Sequence, residues 1–196
     1  MSFVEADVID KARRGDEDAF TALVEAYQRP VFNLCYRMLG SVEEAEDASQ
    51  ETFWRAYQAI DRYDPKRSFI TWLLSIGAHF CIDQQRKQRI PLTDIELLPE
   101  RDLSDDKPGP EKMVRHAEDN QVICKLLNTL APQDRAAVIL KYWYEFSEIE
   151  IAKALNLSQS AVKSRLFRAR KIMAQNWENA QPKSEPTGEQ DVSPAI

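Results

Sequence analysis

Apolar residues recur every three or four positions along most of the chain, the spacing of helices that bury one face. Phe20, Leu23, Val24, Tyr27, Val31, Leu34, Cys35 and Met38 form one such stripe. Pro30 lies inside it. A kink or break is expected near Arg29, because proline lacks an N–H and its ring crowds the preceding turn. Gly40 suits the end of that helix. Ser41-Val42-Glu43-Glu44 then has the form of a capping box and opens a second helix. Val42, Ala45, Ala48, Thr52, Phe53, Ala56 and Ile60 give that helix its apolar stripe. Beyond the turn at Arg62–Lys66, a third helix is predicted from about Ser68 to Arg89, with Phe69, Trp72, Leu73, Ile76 and Phe80 on one face.

The periodicity stops at Pro91–Glu111, where Pro91, Pro99, Pro108, Pro110 and Gly109 are scattered among acids. A stretch of that length is long for a loop inside one domain and reads as a linker. Helical spacing resumes with Val122, Ile123, Leu126, Leu127 and Leu130. It continues after Pro132, which sits where a first helical turn accepts proline. Residues beyond about Asn176 have no apolar period. The expected fold class is all-α. Two small helical domains, 1–90 and 113–177, are joined by a flexible acidic linker, 91–112, and followed by a disordered acidic tail, 178–196.

Two helix-start signals lie close together near the C-terminal end. Ser147 and Glu150 are spaced as a capping box, with Phe146 and Ile151 as its hydrophobic staple. After the turn at Asn156-Leu157, Ser158 caps a second helix that buries Val162, Leu166, Ala169 and Met173. That helix exposes Gln159, Ser160, Lys163, Ser164 and Arg168. The pattern is a helix-turn-helix. The small polar side chains at the start of its second helix can bond base edges, and its Lys and Arg can reach guanine or phosphate.

Charge sharpens this reading. The 196 residues carry a net charge of −6, which excludes a uniformly basic nucleic-acid binder. The charge is segregated, however. Ile151–Trp177 holds six bases and no acid, and Ser41–Glu51 holds five acids and no base. The linker and tail carry most of the negative excess. Hydrophobic residues make up 43% of the chain, enough for a packed core, and only five glycines are present, against a Gly-rich phosphate loop. Cys35, Cys81 and Cys124 are odd in number and sit in apolar segments, as free thiols do. The start of the chain lacks the basic flank and apolar run of a signal peptide, and no run approaches the roughly 20 residues of a membrane span. A reducing cytoplasm is the expected setting.

In the first half, Tyr63, Lys66, Arg67, Phe69, Trp72, Arg86, Lys87 and Arg89 interleave aromatics with bases, a pattern that can hold unstacked bases along a backbone. Phe69 and Trp72 also fit the apolar stripe, so a purely core role stays open for them. The acids of Ser41–Glu51 suit a solvated face or a docking surface. A metal site is not indicated, since neither His79 nor His116 follows a Glu at helical metal spacing. No nucleophile elbow, P-loop or Cys-x-x-Cys occurs, and nothing asks for a catalytic centre, a cofactor or a small-molecule substrate.

Taken together, the two halves resemble the sigma-70 family of RNA polymerase sigma factors, in its small extracytoplasmic function (ECF) form. Glu44–Phe53 is similar to the acidic signature helix of the family's region 2. Phe69–Ile76, with Asp83 and Arg86 beyond, is similar to the helix that reads the −10 promoter element. Ser147–Ala152 and Ala161–Arg170 are similar to region 4. The resemblance implies a non-enzymatic initiation factor. It places Asp47, Gln50, Glu51, Trp54 and Arg55 on the surface that meets the β′ clamp helices of core polymerase. It places Tyr63, Lys66, Arg67, Trp72, His79, Asp83 and Arg86 at the −10 element. Ser158, Gln159, Ser160, Lys163, Ser164, Arg165 and Arg168 would lie at the −35 element, in a domain that also touches the β flap.

The linker stands where the family lacks region 3. An anti-sigma factor, often membrane-bound, is the partner the family implies for control. Ser68, Gly77 and His79 depart from the residues common in the family. The alternative, a stand-alone helix-turn-helix regulator, explains Ser147–Arg170 but leaves Glu44–Arg89 without a role.

Overall fold

Several helices begin where a side chain takes up a first free N–H group. The computed structural model describes residues 3–89 and 122–180, and all regular structure among them is helical. Helix α1 spans Phe3–Arg13. Asp16 accepts from the Ala19 amide at 2.9 Å and opens α2, Glu17–Leu39. Gly40 ends α2 at φ +83°, a left-handed geometry that glycine adopts without strain, and its N–H returns to the Tyr36 carbonyl. Of the kink or break expected near Arg29, the break does not occur: α2 runs through Pro30 as one helix. Burial of Val31, Leu34, Cys35 and Met38 on the far side of the proline, each 0% exposed, holds the helix together across the lost hydrogen bond.

Ser41 caps α3, Val42–Ala59, by accepting from the Glu44 amide. The capping box is half formed, because the Glu44 carboxylate accepts from Gln88 at 3.1 Å. A 3₁₀ turn, Ile60–Arg62, leads to α4, Phe69–Arg89. Gly77 of α4 is explained by packing. A Cβ there would lie 3.1 Å from Thr52 Oγ1 and 3.3 Å from a Leu34 methyl, so glycine lets α4 settle onto α2 and α3. Val42 departs from the expected stripe and is exposed.

The second half has α5 over residues 122–128, α6 at Pro132–Tyr142, α7 at Glu148–Ala154 and α8 at Gln159–Ala180. Pro132 occupies the first turn of α6, as its spacing predicts. Val122 is exposed, whereas Leu127 and Leu130 are fully buried. Helix α8 continues past the expected end of order at 177, to Ala180. The expected linker at 91–112 and the rest of the tail lie outside the described residues. Cys35 and Cys81 are buried free thiols and Cys124 is half-buried and free. Burial raises the Cys124 thiol above its usual pKa. No described helix is long and apolar enough to cross a membrane.

The two halves share one buried core, with α6 against α2 and α4, and α7 against α4. Arg135 of α6, 3% exposed, donates to the Met38 carbonyl in the last turn of α2 at 2.5 Å. Gln85 of α4 donates to the same oxygen. The Tyr144 hydroxyl donates to the Pro30 carbonyl at 2.6 Å, and the Arg37 guanidinium stacks over the Trp143 ring at 5.1 Å.

Candidate nucleic-acid interface

The helix-turn-helix forms as its caps predict. Glu150 N donates to Ser147 Oγ at 3.2 Å, and Ser147 N donates back to Glu150 Oε2 at 2.8 Å. The Ser147 hydroxyl also donates to Glu150 Oε2 at 2.7 Å, and this bond, with the one from Ser147 N, holds the Glu150 carboxyl below its usual pKa. Asn156 makes the turn at φ +53°, a conformation that asparagine tolerates better than most residues. Ser158 Oγ then accepts from the Ala161 amide at 3.2 Å. Val162 and Ala169 of α8 are fully buried, and Ile151 of α7 packs into the same corner. One face of α8 is left to solvent, carrying Ser158, Gln159, Ser160, Lys163, Ser164 and Arg168. Lys163 also stands 3.7 Å from Glu148 of α7.

Arg165 does not share this freedom. Its Nη1 donates to Asp134 Oδ1 at 2.6 Å and its Nη2 to the Gln133 side-chain oxygen at 2.5 Å. Arg168 donates to the same carboxylate through Nε at 2.8 Å and Nη2 at 3.1 Å. Asp134 lies in the first turn of α6, with its side chain 3% exposed. Burial opposes its ionisation, but the hydrogen bonds from Arg168 and Arg165 outweigh that and hold the carboxyl below the ordinary range. Sequence reasoning missed Asp134 and Gln133. It missed Phe167 too, 67% exposed, which follows Lys163 by four residues and Ser164 by three on the open face of α8.

The expected −10 residues divide. Lys66, Arg67, Asp83 and Arg86 are exposed. Trp72 and His79 are half-buried. Tyr63 is corrected: its ring is 2% exposed, packed edge-on to Phe69 at 5.4 Å and against Trp72 at 5.2 Å, and its hydroxyl donates to the Arg67 carbonyl. It braces the loop before α4 from within and offers no face for a stacked base. Phe69, 1% exposed, is likewise core.

His79 Nδ1 lies 2.8 Å from the Ser75 carbonyl, which can only accept, so Nδ1 carries the proton there and Nε2 faces Asn156 Nδ2 at 3.4 Å. A cleft of about 190 Å³ separates Lys66, Arg67 and Trp72 from Glu150 and Lys153 of α7. The face of α4 expected to meet DNA is thus turned toward the helix-turn-helix.

Asp47, Gln50, Glu51, Trp54 and Arg55 are brought together on the outer face of α3. Asp47, Gln50, Trp54 and Arg55 are exposed, and Glu51 is half-exposed. Arg55 pairs with Glu51 at 2.7 Å and lies over the Phe80 ring at 4.8 Å. Trp54, 56% exposed, stacks on Tyr57, which meets Phe20 edge-on at 5.0 Å. Trp54 and Tyr57 thus leave an aromatic ladder open to solvent beside the acids of α3.

Both halves of the chain resemble known proteins. The profile of sigma-70 region 2 matches residues 23–90, and that of sigma-70 region 4 matches residues 121–173. The chain is 38% identical over 172 residues to the ECF RNA polymerase sigma factor SigW of Bacillus subtilis, covering 84% of this chain and 92% of SigW. It is 33% identical over 163 residues to the RNA polymerase sigma factor NccH of Alcaligenes xylosoxydans xylosoxydans, covering 82% and 87%. In fold it is similar to CnrH, solved with the cytosolic domain of CnrY, at a TM-score of 0.67 and 23% identity over 90% of this chain and 99% of CnrH. It is also similar to RpoE of Bartonella quintana, solved with the anti-sigma factor NepR, at 0.64 and 21% over 83% and 98%.

Proposed function

The chain belongs to the ECF sigma factors of the sigma-70 family, and from that premise we propose how its surfaces divide the work of promoter-specific initiation. Residues 1–90 act as the core-binding and −10 unit, and residues 113–177 as the −35 unit. The α3 face of Asp47, Gln50, Glu51, Trp54 and Arg55 meets the β′ clamp helices of core polymerase. Its acids orient the encounter and its aromatic ladder supplies the desolvated centre. Lys66, Arg67, Trp72, His79, Asp83 and Arg86 serve the −10 element, where the bases beside an unstacked strand track its backbone. Ser158, Gln159, Ser160, Lys163, Ser164 and Arg168 enter the −35 major groove. The exposed Phe167 ring beside them suits a thymine methyl.

The observation that carries this reading is α8. From Gln159 to Trp177 it bears cations and small polar groups without one acid, on a helix held by α6 and α7 in helix-turn-helix form. An anti-sigma factor is the proposed controller, and the α3 face is the surface it would cover in competition with polymerase. The site of action is the cytoplasm, where the polymerase is.

The α3 assignment is tested by equilibrium binding of the full chain to core polymerase. Trp54→Ala and Glu51→Lys are expected to weaken binding about tenfold or more, the size of a central interface residue. Both positions are on the surface, so folding is expected to survive. Unchanged affinity in both variants would remove α3 from the interface.

A further inference from the structure

The contact between α6 and α8 sorts the two arginines that share it. Arg165 has both terminal nitrogens of its guanidinium engaged inside the protein, one by Asp134 and one by Gln133, and its side chain is 23% exposed. Arg168 meets the same carboxylate side-on, through Nε and Nη2. Side-on pairing leaves the outer edge of that guanidinium, Nη1 and the second proton of Nη2, outside the pair. The Arg168 side chain is 55% exposed, while the carboxylate that grips it is 3% exposed. One buried acid therefore consumes one cation and aims another, three residues apart on the same helix.

A guanine in the major groove presents O6 and N7 side by side, and two parallel N–H groups on one planar edge match them. A free arginine on a helix surface must surrender rotamer freedom to make that contact. Arg168 has already surrendered it within the folded domain. Asp134 also offsets part of the positive charge, so this corner of α8 is biased away from indiscriminate phosphate binding.

We propose that Asp134 is a specificity-determining positioning residue, which fixes Arg168 so that its outer edge meets one guanine of the −35 element and withdraws Arg165 from the DNA. The proposal rests on the reading of α8 as the −35 helix. It also corrects the expectation that Arg165 and Arg168 read DNA alike.

The test uses holoenzyme assembled from core polymerase and the full chain, transcribing a promoter pool randomised across the −35 element. Wild type is expected to prefer guanine at one position. Asp134→Asn should reduce that preference about tenfold at that position alone, within the range of one bidentate base contact. Arg168→Lys should lose the same position, because an ammonium cannot supply a planar fork. Arg165→Gln should keep the preference while lowering the melting temperature. Asp134→Glu, which keeps the charge but moves it, serves if the asparagine variant fails to fold and should weaken the same guanine. A purely structural carboxylate would lower melting temperature in the Asp134 variants and leave the base profile intact, which overturns the proposal. A wild-type holoenzyme indifferent to −35 sequence overturns the reading of α8 itself and the proposal with it.

Discussion

Arg135 carries a positive charge into the space between the two halves and finds the last turn of α2 there. The terminal carbonyls of a helix lack intrahelical partners and carry partial negative charge, so a buried guanidinium on the Met38 carbonyl satisfies both needs. Arg135→Ala removes the donor and leaves a void. It is expected to cost about 2 kcal/mol in chemical denaturation of the full chain, with Arg135→Lys recovering part of the loss. Asp134 makes the matching prediction for pH. Its folded pKa lies below the unfolded value, so its clasp stabilises fully above the ordinary carboxylate pKa and fades as pH falls through the folded value. The stability gap between wild type and Asp134→Asn should therefore be constant from about pH 8 to 5 and close below about pH 4. A gap that persisted in acid would mean the carboxylate is not ionised in the folded protein.

Among the elements, α2 is the one where the sequence pattern allowed a break, since a kink or break was expected near Arg29 and the helix is continuous. The helix continues because its buried stripe resumes after the proline and outweighs one missing hydrogen bond. Pro30→Ala restores that bond without disturbing the carbonyl that Tyr144 uses. It is expected to stabilise the chain by about 1–2 kcal/mol, the helical gain being partly offset by a looser unfolded state. A loss of stability instead would show that Tyr144 requires the proline geometry. Helices α3, α7 and α8 were legible because each combines an apolar stripe with a capping residue, and α4 from its stripe alone. Ser147 with Glu150 and Ser158 place the helix-turn-helix nearly to the residue. Tyr63 was not legible: it sits in a turn, where no periodicity tells an inward ring from an outward one. The Asp134 clasp was equally hidden. Its partners lie 31 and 34 positions away, and Arg165 and Arg168 look alike in the sequence until α6 is packed against α8.

Across the whole molecule, His79 on the expected −10 face lies 3.4 Å from Asn156, three residues before the start of α8, the proposed −35 helix. The two promoter elements, by their names, are centred about 25 base pairs apart, or about 85 Å of duplex at roughly 3.4 Å per pair. The packed halves cannot reach both elements at once. Opening must break the contacts of Arg135, Tyr144, Arg37 and Asn156. The stretch 90–121, about thirty residues, spans at most about 110 Å when fully extended, which is sufficient reach. Labels at positions 58 and 175 should report a short distance in the free chain and a longer one with core polymerase and promoter, by energy transfer. An unchanged distance would contradict the need to open. The net charge of −6 points the same way, since polymerase must bring an acidic chain and DNA together. The central claim is that this chain confers promoter choice on core polymerase through two separated surfaces. Its most direct test is multi-round transcription of a promoter-fragment library by core polymerase with and without the purified chain. The expected transcripts depend on the chain and share two upstream sequence blocks at −10 and −35. Tight sequence-specific DNA binding by the chain alone, with no dependent transcript, would contradict it.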